Sequence, residues 1–69
     1  MLSVGDRVIA TQDIWQEADE EHPLTKLASA GDVLEVRDMF RTWPIYVAHP
    51  EREARAMFGV TKSEIRKSD

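Results

Sequence analysis

Two stretches of this chain place apolar residues at alternate positions directly after a Gly-Asp pair. Ser3-Val4-Gly5-Asp6 leads into Arg7-Val8-Ile9-Ala10, and Ala30-Gly31-Asp32 leads into Val33-Leu34-Glu35-Val36. Glycine takes the positive φ of a tight turn without steric penalty, and aspartate can hydrogen-bond its own backbone. Val, Ile and Leu at alternate positions then line one face of a half-buried strand. The pattern predicts a first strand over 4–12, with Val8 and Ala10 on one face and Arg7, Ile9 and Thr11 on the other. It predicts a second over 31–40, with Leu34 and Val36 in the core.

Between these strands the alternation breaks. Ile14 and Trp15 are followed by the polar stretch Gln16-Glu17-Ala18-Asp19-Glu20-Glu21-His22-Pro23 and then by Leu24 and Leu27. The segment 13–29 is therefore expected to be a long loop, within which any short helical turn over 16–21 would end at Pro23, since proline disfavours helical geometry in the residue before it; loops of that length are usually functional or disordered. Beyond the second strand, Arg41-Thr42-Trp43-Pro44 turns the chain, and 44–49 reads as a third strand paired with the second and stopped by Pro50. Residues 51–57 are rich in helix formers but too few for a helix held by its own bonds, so a single surface turn is expected. Phe58-Gly59-Val60 reads as a fourth strand, Thr61-x-x-Glu64 has capping-box spacing for a short helical or 3-10 turn, and Ile65 returns to the core. The tail, 66–69, is expected to fray. The resulting fold class is all-β: one domain over 1–69, a small, partly open barrel of about five short strands.

Sixty-nine residues bury only about 60% of the surface of the unfolded chain, so the core must be thin. The absence of cysteine excludes disulfides, zinc-thiolate sites, iron–sulfur ligation and thiol redox chemistry within the chain. A partner is then the remaining source of extra stability. No run approaches the ~20 apolar residues of a membrane span and the first residues lack signal-peptide features, so a cytoplasmic, non-membrane protein is expected. The net charge of −4 is unevenly spread: residues 1–50 hold Arg7, Lys26, Arg37 and Arg41 against nine acids. Such a surface repels phosphate backbones at long range. Nucleic-acid binding through a barrel of the KOW type is therefore the secondary reading, with Arg37, Arg41, Arg52, Arg55, Lys62, Arg66 and Lys67 as its basic edge.

Metal-type ligands cluster only in the acidic run Glu17, Asp19, Glu20, Glu21 and His22. Alternate carboxylates superficially suit a hard cation, but the central glycine and later bidentate glutamate of a calcium loop are missing, so a solvated or docking loop is expected and no metal or other cofactor. The two histidines each precede a proline, in His22-Pro23 and His49-Pro50, with no nucleophile beside them; they read as loop histidines and the chain as no enzyme. Among the aromatics, Tyr46 and Phe58 are expected in the core. Trp15 and Trp43 fall at strand ends, where they either plug the barrel or serve as half-exposed binding residues.

The order of these pieces resembles the SH3-like barrels grouped as electron-transport accessory proteins. That group includes the variable chain of ferredoxin–thioredoxin reductase, the β subunit of nitrile hydratase, a photosystem I subunit that assists ferredoxin docking, and a nitrogen-fixation accessory protein. The residues that carry the resemblance are Val4-Gly5-Asp6-Arg7-Val8, His22-Pro23, Gly31-Asp32-Val33, Pro44-Ile45-Tyr46-Val47 and Phe58-x-Val60-x-x-x-Glu64-Ile65, spanning nearly the whole chain. Where the family commonly has a glycine-containing turn, this chain has Phe40-Arg41-Thr42-Trp43-Pro44. The resemblance implies a non-catalytic module that packs against a larger enzyme or electron-transfer partner and supplies no cofactor ligands. Trp15, Glu17, Asp19, Glu20, Glu21, His22, Phe40, Arg41 and Trp43 are the expected partner-binding residues.

Overall fold

The computed structural model describes residues 2–16, 20, 23–39, 41–53 and 56–68. Seven strands run in the order β1 (Arg7–Ala10), β2 (Ile14–Gln16), β3 (Thr25–Ala28), β4 (Val33–Asp38), β5 (Ile45–Ala48), β6 (Phe58–Val60) and β7 (Ile65–Lys67). A 3-10 turn, Lys62–Glu64, sits between the last two. Five strands form one sheet in the order β6-β5-β4-β1-β7, curled into a half-barrel, while β2 and β3 make a separate antiparallel pair. The fold is all-β.

The two Gly-Asp segments build the centre of the sheet by the same device. In each, the N–H of the aspartate donates to the carbonyl of the serine three residues back, and the aspartate carboxylate accepts from that serine's N–H. The distances are 3.0 and 2.9 Å in Ser3–Asp6 and again 3.0 and 2.9 Å in Ser29–Asp32. Gly5 and Gly31 occupy the third position of these turns with φ of 96° and 92°, the left-handed geometry that glycine alone takes freely. Each turn then clasps the far end of the opposite strand. Gly5 N–H donates to Val36 and Val36 N–H to Asp6, whereas Gly31 N–H donates to Ala10 and Ala10 N–H to Asp32. The β1–β4 register places Val8 opposite Leu34, which correspond to each other in the two segments, so the pair has a local two-fold axis there.

The core is aliphatic. Val8, Ala10, Leu34, Val36, Val47, Val60 and Ile65 are buried from the main sheet, and Ile14 and Ala28 from the β2–β3 hairpin. Alternation along β1 and β4 puts the expected residues inward. Tyr46 and Phe58, expected in the core, are only half-buried; β5 turns Ile45 and Val47 inward instead, and Phe58 packs at the core margin. Tyr46 lies opposite Gly59, where a Cβ would come within 3.5 Å of its ring. A Cβ there would make only ordinary van der Waals contact with the ring.

Two expectations are corrected. Residues 13–29 are not a plain loop, since β2 and β3 lie within them and bury Ile14 and Ala28 in the same core as the main sheet. Arg66 and Lys67 are not a frayed tail either: β7 pairs with β1, and Ser68 N–H donates to Arg7 at 3.0 Å. The 3-10 turn starts where the capping-box spacing placed it, with Thr61 N–H donating to the Glu64 carboxylate at 2.7 Å. Among the described residues no helix is long and apolar enough to cross a membrane.

A Cβ added at Gly5 or Gly31 would touch nothing within 4 Å, so the only penalty of substitution is conformational. Gly31→Ala and Gly5→Ala should each lower stability by about 1–2 kcal/mol, the cost of left-handed geometry for a residue with a Cβ, as read from urea midpoints at unchanged m-value.

Candidate docking groove

Polar contacts brace the base of the β2–β3 hairpin and fasten it to the end of β5. Asp13, just before β2, accepts a hydrogen bond from Ala30 N–H at 2.9 Å and pairs with Lys26 Nζ at 3.2 Å. The backbone hydrogen bond first, and then the Lys26 ammonium, hold the Asp13 carboxyl below its usual pKa. Lys26 is the register partner of Trp15 and lies 5.7 Å from its ring, a cation–π distance. Further along, His49 Nε2 is 2.9 Å from the carbonyl of Leu27. A carbonyl oxygen only accepts, so Nε2 carries the proton and the bond ties β3 to the end of β5.

The segment after β5 is held from beneath by Arg37. Its Nη2 donates to the carbonyls of His49, Pro50 and Arg52 at 3.3, 3.1 and 3.0 Å, so its two hydrogens are shared among three acceptors. Its Nε lies 2.9 Å from Glu35 Oε1, an ion-pair contact whose angles fall outside hydrogen-bond geometry. Glu35 also reaches Arg7 at 3.4 Å. Arg37 is mostly buried, and its planar fork suits this convergence of carbonyls better than the point charge of a lysine would.

Between the hairpin and β6 these constraints leave a shallow groove with two lobes that share Leu27, Ala56 and Phe58. The first lobe, about 470 Å³, is completed by Trp15, Gln16, Met57 and Gly59. The second is completed by Thr25, Lys26, His49 and Arg52. Trp15 and Met57 are exposed by 50% and 40%, large values for apolar side chains in so small a protein.

Of the expected partner-binding residues, Trp15 lines the groove, while Arg41 and Trp43 lie exposed on the turn before β5 and line neither lobe. Glu20 is exposed. Glu17, Asp19, Glu21, His22 and Phe40 fall outside the described residues. Among the described residues no three His, Asp or Glu side chains come together as a metal site would require. His49 is a loop residue just past β5, as expected, but it is half-buried and bonded to Leu27. Leu27, His49, Arg52, Met57 and Phe58 were not expected at a common surface; their one shared signal is that each borders a break in the apolar alternation.

No family model, curated protein or solved structure matches this chain.

Two outcomes follow from these contacts. Arg37→Met should unfasten the carbonyls of His49, Pro50 and Arg52, at a cost of about 1.5–3 kcal/mol for lost hydrogen bonds to a charged group, and hydrogen exchange should quicken at the Arg52 amide, which donates to His49. Asp13 has a lowered folded pKa, so its contribution to stability is present above the unfolded carboxyl value of about 3.9 and is lost as pH falls through the folded one. The stability gap between the native chain and Asp13→Asn should therefore be open at neutral pH and narrow as the solution is acidified below about pH 4, as followed by thermal melts across pH.

Proposed function

We propose that this chain is a non-catalytic accessory module that docks on a larger enzyme or electron-transfer protein. The observation that carries the reading is the placement of the tryptophans. Among the described residues the fully buried core is Val, Leu, Ile and Ala, while Trp15 and Trp43 stand 50% and 41% exposed. A small domain gains most from burying its largest apolar side chains, about 25 cal/mol per Å² of area removed from water. Two indoles left at the surface forgo that gain within the chain, and a partner's surface can supply it. The resemblance to the accessory barrels points the same way, and their mode of action, packing against a catalytic or redox subunit without donating ligands, suits a chain with no cysteine.

The nucleic-acid reading is weakened by Arg37. A phosphate-binding edge needs its cations outward, and this guanidinium is turned inward onto three carbonyls and Glu35.

Trp43→Ala separates docking from a packing role. The variant should melt within a few degrees of the native chain, because truncating an exposed side chain costs little, while affinity for the enzyme partner recovered by affinity purification from the native source falls about thirtyfold. A collapsed melting transition, or a native chain that elutes without a stoichiometric partner, would count against the reading.

A further inference from the structure

We propose that β6 takes up an extended, acidic segment of a partner protein as an added strand, seated in the groove between β6 and the β2–β3 hairpin. This deepens the docking reading and rests on it. The two outer edges of the main sheet are built differently. β7, Ile65-Arg66-Lys67, carries two cations, and charged side chains on an edge deter strand addition. β6, Phe58-Gly59-Val60, carries no charge and no proline. Among the described residues it receives backbone hydrogen bonds from β5 alone, so its outer side keeps unpaired N–H and C=O groups. This is the edge that borders the groove.

The charge of the groove selects the segment. The chain holds 13 acids against 9 bases, yet among the described residues no acidic side chain lines either lobe, and two cations, Lys26 and Arg52, line the second. Lys26 is partly answered by Asp13, while the Arg52 side chain makes no ion pair among the described residues. An extended segment points alternate side chains the same way. It can therefore set an apolar residue against Trp15 and Met57 in one lobe and, two residues on, a carboxylate against Arg52 in the other. A second copy of the chain fits less well, since a symmetric contact would bring the same cationic surfaces together.

The test is a titration of the isotopically labelled full chain, followed by NMR, with the synthetic peptide acetyl-Glu-Val-Leu-Val-Glu-amide. Its Lys-flanked counterpart and a form N-methylated at alternate amides serve as comparisons. The expected result is saturable shifts at the amides of Phe58, Gly59 and Val60 and at the Trp15 indole N–H. Affinity should be lower by at least about tenfold for each comparison peptide, and Arg52→Glu should reverse the preference between Glu and Lys flanks. Shifts centred on β7 or on the Trp43 turn, equal binding of both charge forms, or no saturation at millimolar peptide would overturn the proposal. So would dimerisation of the chain through β6, seen by sedimentation together with cross-chain contacts at Phe58. A native partner retained by Arg52→Glu but lost by Trp43→Ala would remove the groove while leaving the docking reading in place. Saturable peptide binding at β6 with no partner recovered would support the groove and remove that reading.

Discussion

The structure depends on the antiparallel embrace of β1 and β4, in which each strand is closed at one end by its own Ser-x-Gly-Asp turn and at the other by its partner's. Backbone N–H and C=O groups at strand ends are costly to leave unpaired once buried. Here the glycine and aspartate of each turn satisfy the terminal groups of the opposite strand, at Val36 in one case and Ala10 in the other. Each turn is itself cross-braced by an aspartate carboxylate. The remaining sheet is added outward from this pair, with β5 and β6 beyond β4 and β7 beyond β1. The inward faces of β1 and β4 supply Val8, Ala10, Leu34 and Val36, the middle of a core otherwise too thin for a chain of this length.

That central pair was legible from sequence because its determinants are local. Gly5 and Gly31 need only backbone sterics to be read as turn glycines, and the period of two in Val8, Ala10, Leu34 and Val36 names the buried face directly. The third strand, the fourth and the capped turn before Ile65 were legible for similar reasons. The β2–β3 hairpin was not. Each of its strands buries a single residue, Ile14 or Ala28, too few for alternation to register. What holds the hairpin is remote in sequence: Asp13 on Ala30 and His49 on Leu27. Aromatics misled in a different way. Size suggested Tyr46 and Phe58 for the core, but strand parity assigns the inward positions of β5 to Ile45 and Val47, and Tyr46 lies opposite a glycine on the other strand.

The groove was invisible to sequence reading because four separate segments build it, and its two cations sit in stretches that otherwise read as polar linkers. Arg37 illustrates the same limit. In the sequence it is one exposed base on the outward face of a strand; in the fold it organises the carbonyls of a turn that follows the next strand, and so shapes one wall of the groove. The braced 49–52 turn and the β6 edge, which pairs with β5 alone among the described residues, therefore belong to one arrangement.

The placement of β1 between β4 and β7 also orders events during synthesis. β1 leaves the ribosome before the other described strands and β7 after them, so one side of β1 stays without its neighbour until all the strands between them are made. Loop-closure entropy makes so distant a pairing slow to find. During that interval the nascent chain exposes the outer side of β1, whose sequence, Arg7-Val8-Ile9-Ala10, has one charge and three apolar residues. The same pairing that completes the sheet thus makes the emerging protein depend on its final strand, and on whatever shields β1 until that strand arrives.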